Sequence, residues 1–148
     1  MLSFIGDYLC KADNKFRIVV PSSFRKGMMT AGQTVFVLRK NIFESCIDMY
    51  PYSEWELLVA GLGSRLSSFD RKHAAFLREL YRGAQEVEMD GNGRILIPRR
   101  LLEDIGVDRE MILVGQNAKI EIWESGRYER STVGGEGFEQ LTREVLGE

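Results

Sequence analysis

Residues 13–24 read DNKFRIVVPSSF, and residues 90–101 read DGNGRILIPRRL. Each string sets an Asp, an Arg four residues later, an alternation of β-branched or long apolar residues, and a Pro. Phe24 or Leu101 follows three residues beyond that Pro. At an offset of 77, Asp13 falls on Asp90, Arg17 on Arg94, Ile18 on Ile95, Val20 on Ile97 and Pro21 on Pro98, with Gly6 on Gly83. Further along the offset drops to 73, laying CIDMYP (46–51) on KIEIWE (119–124) and pairing Tyr50 with Trp123 and Trp55 with Tyr128. The chain is a duplication.

Period-two alternation predicts that each half enters its Asp on a strand, turns tightly, continues as a strand, and opens a short helix near the Pro. Two further strands follow in each half: QTVFVLR (33–39) and CIDMY (46–50), then MILVG (111–115) and KIEIW (119–123). Between the halves the period changes. Ser53 and Glu56 have capping-box spacing before Trp55, Leu58, Val59 and Leu62, which recur as a helix face. A second helix is expected from Ser67 or Ser68 to about Arg82, offering Phe69, Phe76, Leu77 and Leu80 on one side. The Gly-rich VGGEG at 133–137 reads as flexible and precedes an amphipathic segment, Phe138 to Leu146.

A few short strands cannot bury both faces by themselves, so two such halves are expected to share one core. The predicted class is α+β, mainly β: a small β-barrel of pseudo-two-fold symmetry in which the halves interlock, with a helical pair inserted between them. The expected boundaries are 1–52 for the first repeat, 53–82 for the insert, 83–126 for the second repeat and 127–148 for a helical tail.

With 148 residues, 44% hydrophobic and 28% charged, the composition is that of an ordinary globular protein. Asp7, Lys11 and Asp13 interrupt the first apolar residues, and no stretch approaches a membrane span, so a cytoplasmic location is expected. Cys10 and Cys46 are too few and too far apart for a disulfide framework or a zinc site and read as buried free thiols. The net charge of -2 conceals a local excess: between residues 11 and 40, Lys11, Lys15, Arg17, Arg25, Lys26, Arg39 and Lys40 stand against Asp13 alone. That segment is a candidate anion-facing surface.

Core building accounts for the apolar positions and the prolines of the repeated string, but not for its Asp and Arg. An Asp at a tight turn accepts backbone N–H bonds, and an Arg at its mouth either pairs with that Asp or grips an anion. A guanidinium fork matches phosphate or the O6/N7 edge of guanine. Around the first copy, Lys11, Lys15, Arg17, Arg25 and Lys26 face only Asp13, whereas Arg94, Arg99 and Arg100 are balanced by Glu88, Asp90 and Glu103. The first copy is therefore expected to supply most of the anion-facing charge, with Arg94, Arg99 and Arg100 secondary or used in packing and subunit contacts.

The doubled D-x-x-x-R string, with YPYSEWE (50–56), RLSSF (65–69), MDGNGRILIP (89–98) and ILVGQNAKIEIW (112–123) in order, resembles the MraZ family over nearly the whole chain. Each half is similar to a SpoVT/AbrB DNA-binding domain. The resemblance implies a transcriptional regulator of the bacterial division and cell wall gene cluster, a ring of subunits binding tandem promoter repeats in the nucleoid. Its implied partners are double-stranded DNA and further copies of itself, with no cofactor, metal, membrane or small-molecule substrate. Carried over by position, Asp13 and Arg17 form the first copy of the motif and Asp90 and Arg94 the second. Lys11, Lys15 and Arg25 join them as candidate DNA contacts on the strength of their charge. The family pattern often places Gly before the Arg, as Gly93 does, but the first copy has Phe16. Either the first turn differs in geometry or Phe16 packs against something specific, another subunit being one such surface.

Rival chemistries fit less well. Two symmetry-related aspartates suggest an acid protease dyad, yet neither is followed by the small hydroxyl residue and Gly that hold one, and each has its own Arg. His73 is the only histidine and reads as a partly exposed helix residue. DGNGR begins like a calcium loop, but Arg94 stands at the third ligand position and Leu101 at the twelfth. The alternative to a DNA-binding regulator is an antitoxin-like or scaffold module that holds another protein through its helical insert or tail.

Overall fold

In the computed structural model, which describes residues 2–147, the chain forms eight strands and six helices among those residues. The first half runs β1 (Asp7–Lys11), β2 (Arg17–Val19), α1 (Ser22–Thr30), β3 (Val35–Lys40) and β4 (Ile47–Pro51). The helices α2 (Tyr52–Gly63) and α3 (Arg71–Tyr81) follow. The second half repeats the order: β5 (Gln85–Glu88), β6 (Arg94–Leu96), α4 (Arg99–Asp104), β7 (Glu110–Gln116) and β8 (Lys119–Trp123). Then come α5 (Ser125–Arg130) and α6 (Gly134–Leu146).

The two halves exchange their first strands. Six strands form one antiparallel sheet in the order β1-β7-β8-β4-β3-β5, so β1 pairs with β7 of the second half and β5 with β3 of the first. The central pair β4–β8 sets Asp48 opposite Glu121. Alternation along these strands sends Phe36, Leu38, Ile47, Met49, Met111, Leu113, Ile120 and Ile122 to one face. Ile18, Val20, Ile95 and Ile97 join them there with residues of α1 and α4, giving a single core drawn from both copies. At about 25 cal/mol per Å² of apolar surface removed from water, each such Ile or Leu contributes about 2 kcal/mol, so neither half retains its core if the other is removed.

The sheet stays open, where a barrel was expected. β1 and β5 are its two edges, and β2 and β6, three residues each, pair with one another as a separate ribbon. The tight turn after each first strand diverts the chain out of the sheet, and strands that short cannot bridge the edges.

The duplication is visible in the aromatics. Tyr50 and Trp55 stand 5.6 Å apart between ring centroids at 58°, and Trp123 and Tyr128 stand 5.6 Å apart at 60°. Both pairs lie on the outer face of the sheet, the first with Val37 and Leu80 under α2 and α3, the second with Ile112 beside α5.

Local details depart from the sequence reading. Ser53 does not cap α2; Pro51 precedes the helix, and Gln33 supplies the missing partners by accepting the Ser53 N–H at 3.2 Å and donating to its hydroxyl at 2.8 Å. A side chain distant in sequence has taken the role of the box. α3 starts later than expected because Asp70 caps it, accepting the N–H groups of Lys72 and His73. VGGEG is not a loose linker: Gly134 to Gly137 form the start of α6, where the first N–H groups need no partner within the helix. No helix among the described residues is long and apolar enough to cross a membrane.

Candidate nucleic-acid interface

Both copies of the string fold into the same hook. In the first, Asp13 Oδ1 accepts the N–H of Lys15 at 2.8 Å and of Arg17 at 3.0 Å, and Oδ2 accepts Arg17 Nε at 2.8 Å. In the second, Asp90 Oδ1 accepts Asn92 and Arg94, both at 2.9 Å, and Oδ2 accepts Arg94 Nε at 3.1 Å. The backbone closes each turn identically, Asp13 donating to the Arg17 carbonyl and Asp90 to that of Arg94, each at 2.9 Å. The N–H of Arg17 or Arg94, assisted by the second turn N–H and the guanidinium, holds each carboxyl below the ordinary 3.8 despite an opposing desolvation effect.

Each Arg thus spends only Nε on its Asp. Among the described residues no hydrogen bond engages Nη1 or Nη2 of either one. The side chains are comparably accessible, at 32% and 31%.

The ribbon aims these forks. β2 and β6 pair antiparallel, with Arg17 opposite Leu96, Ile18 opposite Ile95 and Val19 opposite Arg94. Alternation buries Ile18 and Ile95 and turns Arg17, Val19, Arg94 and Leu96 outward, Val19 being 52% and Leu96 55% exposed. Arg17 and Arg94 occupy diagonal positions, so their roots lie about 7–8 Å apart. The local two-fold passes through the Ile18–Ile95 pair.

Phe16 resolves its departure from the pattern by conforming. Its φ is 62°, against 76° for Gly93, and Ile97 donates to the Phe16 carbonyl as Val20 does to that of Gly93. The left-handed conformation costs a non-glycine residue about 1–2 kcal/mol. Packing against the core offsets it, as does the guanidinium of Arg99 lying 5.3 Å over the ring. At the second turn the cover is Arg25, whose Cδ lies 2.3 Å from where a Cβ on Gly93 would stand and whose Nη1 donates to the Val20 carbonyl at 2.9 Å. Each turn is therefore covered by an arginine from the other half.

This exchange changes the charge map read from the sequence. Arg39 is not at the surface: it is buried and donates to the carbonyls of Leu80 (2.8 Å), Glu79 and Lys40. Arg25 is half-buried over the second turn, and Lys11, exposed, ends β1 opposite Glu110. Lys15 is exposed beside Arg17. The first turn gains two cations from the second half, Arg99 over Phe16 and Arg109, which donates to Asn14. Sequence reasoning gave Arg99 a secondary or packing role without its place over the first turn, and missed Arg109, Val19 and Leu96. The alternation around buried Ile18 and Ile95 carried the signal for the latter pair; nothing local marked Arg109.

A second polar cluster lies on the outer face of the sheet, where Cys46, Asp48 and Glu121 bring metal-type donor atoms within 4.8 Å of one another. Lys119 Nζ already sits among them, 2.8 Å from Asp48 and 3.3 Å from Glu121. Burial disfavours the charged Lys119, but its bond to Asp48 and the nearby anions outweigh that and raise its pKa. The carboxylates therefore face an ammonium that the chain supplies itself. Burial pushes the Cys46 thiol strongly upward and the Cys10 thiol to about 11, as suits unreactive structural cysteines.

Fold and site together define a class: an internally duplicated α+β protein whose halves exchange strands and present two Asp-anchored arginines on a shared ribbon. The family described as "MraZ protein, putative antitoxin-like" matches residues 3–79 and again 80–141. The transcriptional regulator MraZ of Christiangramia forsetii is 35% identical over 148 residues, covering 99% of this chain and 95% of that protein. The protein of the same name from Bacteroides fragilis is 32% identical over 148 residues, covering 100% and 94%. That from Acetivibrio thermocellus is 35% identical over 145, covering 98% and 94%. The chain belongs to the MraZ family.

Proposed function

We propose that this chain is a transcriptional regulator that binds double-stranded promoter DNA through the exposed face of the β2–β6 ribbon. The observation that carries the reading is the pair of half-engaged guanidinium groups. An Arg tied at Nε is oriented in advance, so it loses less side-chain freedom on binding, and its two Nη groups remain to grip phosphate or a guanine edge. The major groove is wide enough for a two-stranded ribbon, and Val19 and Leu96 provide apolar surface of the kind that meets thymine methyl groups. Arg17 is the principal contact in this reading, with Lys15, Lys11 and the cations around the first turn adding phosphate attraction. Arg25 acts through the second turn, fixing Gly93 and thereby Arg94.

The relatives are named transcriptional regulators, which supports the same assignment here. The targets we propose are tandem elements upstream of the division and cell wall gene cluster, bound in the nucleoid by a ring of copies. One ribbon makes few phosphate contacts and binds weakly, whereas a ring engaging several elements gains effective concentration. The test is fluorescence anisotropy at fixed salt, using DNA from that upstream region and a shuffled fragment. Arg17→Ala is expected to cost about 1–3 kcal/mol per engaged contact, with a smaller loss for Arg94→Ala. Unchanged affinity in both variants overturns the ribbon as the binding face.

A further inference from the structure

α6 buries none of its own residues, yet it is amphipathic. Phe138, Leu141 and Val145 recur at three and four residues along it, which places them on one face, and Phe138 is 68% and Val145 75% exposed. A helix of this length is marginal by itself in water, and its stability comes from an apolar face packed on a partner. On the first half the corresponding problem is solved within the chain: α3 follows α2, and Leu80 packs with Val37 and Trp55. Among the described residues, no residue of α6 joins such a cluster.

A receiving surface is present elsewhere on the molecule. Between α2 and α3 runs an apolar groove of about 200 Å³, lined by Val59, Leu66, Ala74 and Leu77 among others. The α3 wall of the groove is complementary to α6 in charge: α3 carries Arg71, Lys72 and Arg78 against Glu79, which binds Arg82, and the acids of α2, Glu54 and Glu56, precede the residues that line the groove, whereas α6 carries Glu136, Glu139 and Glu144 against Arg143, which binds Glu139.

We infer that the apolar face of α6 docks into the α2–α3 groove of a second copy of this chain. The inference rests on the proposal that the chain assembles with itself, and it assigns the surfaces. Because groove and helix are different surfaces, the contact is head-to-tail, and repetition of it closes a ring or extends a filament. The acidic helix against the basic α3 wall selects the direction.

Light scattering on the eluting full-length protein tests this with two variants, Leu141→Glu on the helix and Leu77→Glu in the groove. Each is expected to fall from the multimeric mass to that of a single chain, with its circular dichroism spectrum retained. Mixed, they are expected to form a species of two chains, since one contributes an intact helix and the other an intact groove. Arg78→Glu, on an exposed position that leaves folding alone, is expected to weaken self-association, and added salt to weaken the wild type. A multimer whose mass survives both Glu variants overturns these surfaces while sparing the assembly; a monomeric wild type overturns both. Failure of the mixture to associate overturns the head-to-tail pairing. Promoter DNA bound by the monomeric variants at one-element affinity keeps the ribbon reading separate from this one.

Discussion

Phe16 and Gly93 hold the same left-handed backbone conformation, at φ 62° and 76°, in turns that superimpose hydrogen bond for hydrogen bond. One position bears an aromatic side chain at a positive φ; at the other, Arg25 fills the space a side chain would take. A methyl at 93 encounters both obstacles, the positive φ and an Arg25 Cδ at 2.3 Å. Gly93→Ala is therefore expected to cost about 1–3 kcal/mol in urea unfolding, and to weaken DNA binding by redirecting Arg94. Adding Arg25→Ala is expected to recover the clash but not the backbone strain, so the double variant remains less stable than Arg25→Ala alone.

The two aspartates give the turns an acid limit. Their folded pKa values lie below 3.8, so their contribution is complete above that value and is lost as pH falls through the lower, folded one. Asp13→Asn keeps one acceptor oxygen but sets an amide N–H against Arg17 Nε, releasing the guanidinium. The variant is expected to unfold at lower urea than the wild type at pH 5 and at pH 7 by the same margin, the gap narrowing only below about pH 4. A gap that changed between pH 5 and 7 would assign the effect to another group.

What the sequence showed of this molecule follows from which interactions are local. The hook is legible because Asp13 and Arg17 are four residues apart, and its repeat at Asp90 and Arg94 announces a shared core. Strand alternation placed β3, β4, β7 and β8 nearly in full. The strand exchange was not legible, since nothing in DYLCK (7–11) says that it pairs with 110–114 instead of its own half. The same non-local logic hid Gln33 as the partner of Ser53, the burial of Arg39 under α3, and the arrival of Arg99 and Arg109 at the first turn. Counting charges along the chain could not give the set at that turn, because two of its cations come from the other half, Arg99 bringing its partner Glu103 and Arg109 donating to Asn14.

The centre of the sheet carries the sharpest stability prediction. Asp48 and Glu121 face each other across β4 and β8 on the local symmetry axis, and among the described residues Lys119 is the cation paired with both. Asn41 Nδ2 and Trp123 Nε1 complete the partners of the two carboxylates. Lys119→Met leaves buried Asp48 and half-buried Glu121 as unpaired anions in adjacent strands and is expected to cost about 3–5 kcal/mol in urea unfolding. The raised folded pKa of Lys119 means that its contribution is complete below 10.5 and is lost only as pH rises through the higher folded value, so neutral buffers show the full effect. Neutralising the acids together with the lysine, in Lys119→Met with Asp48→Asn and Glu121→Gln, is expected to recover most of that loss. A triple variant no more stable than Lys119→Met would show that lost packing of the lysine stem, and not the unpaired charge, sets the cost.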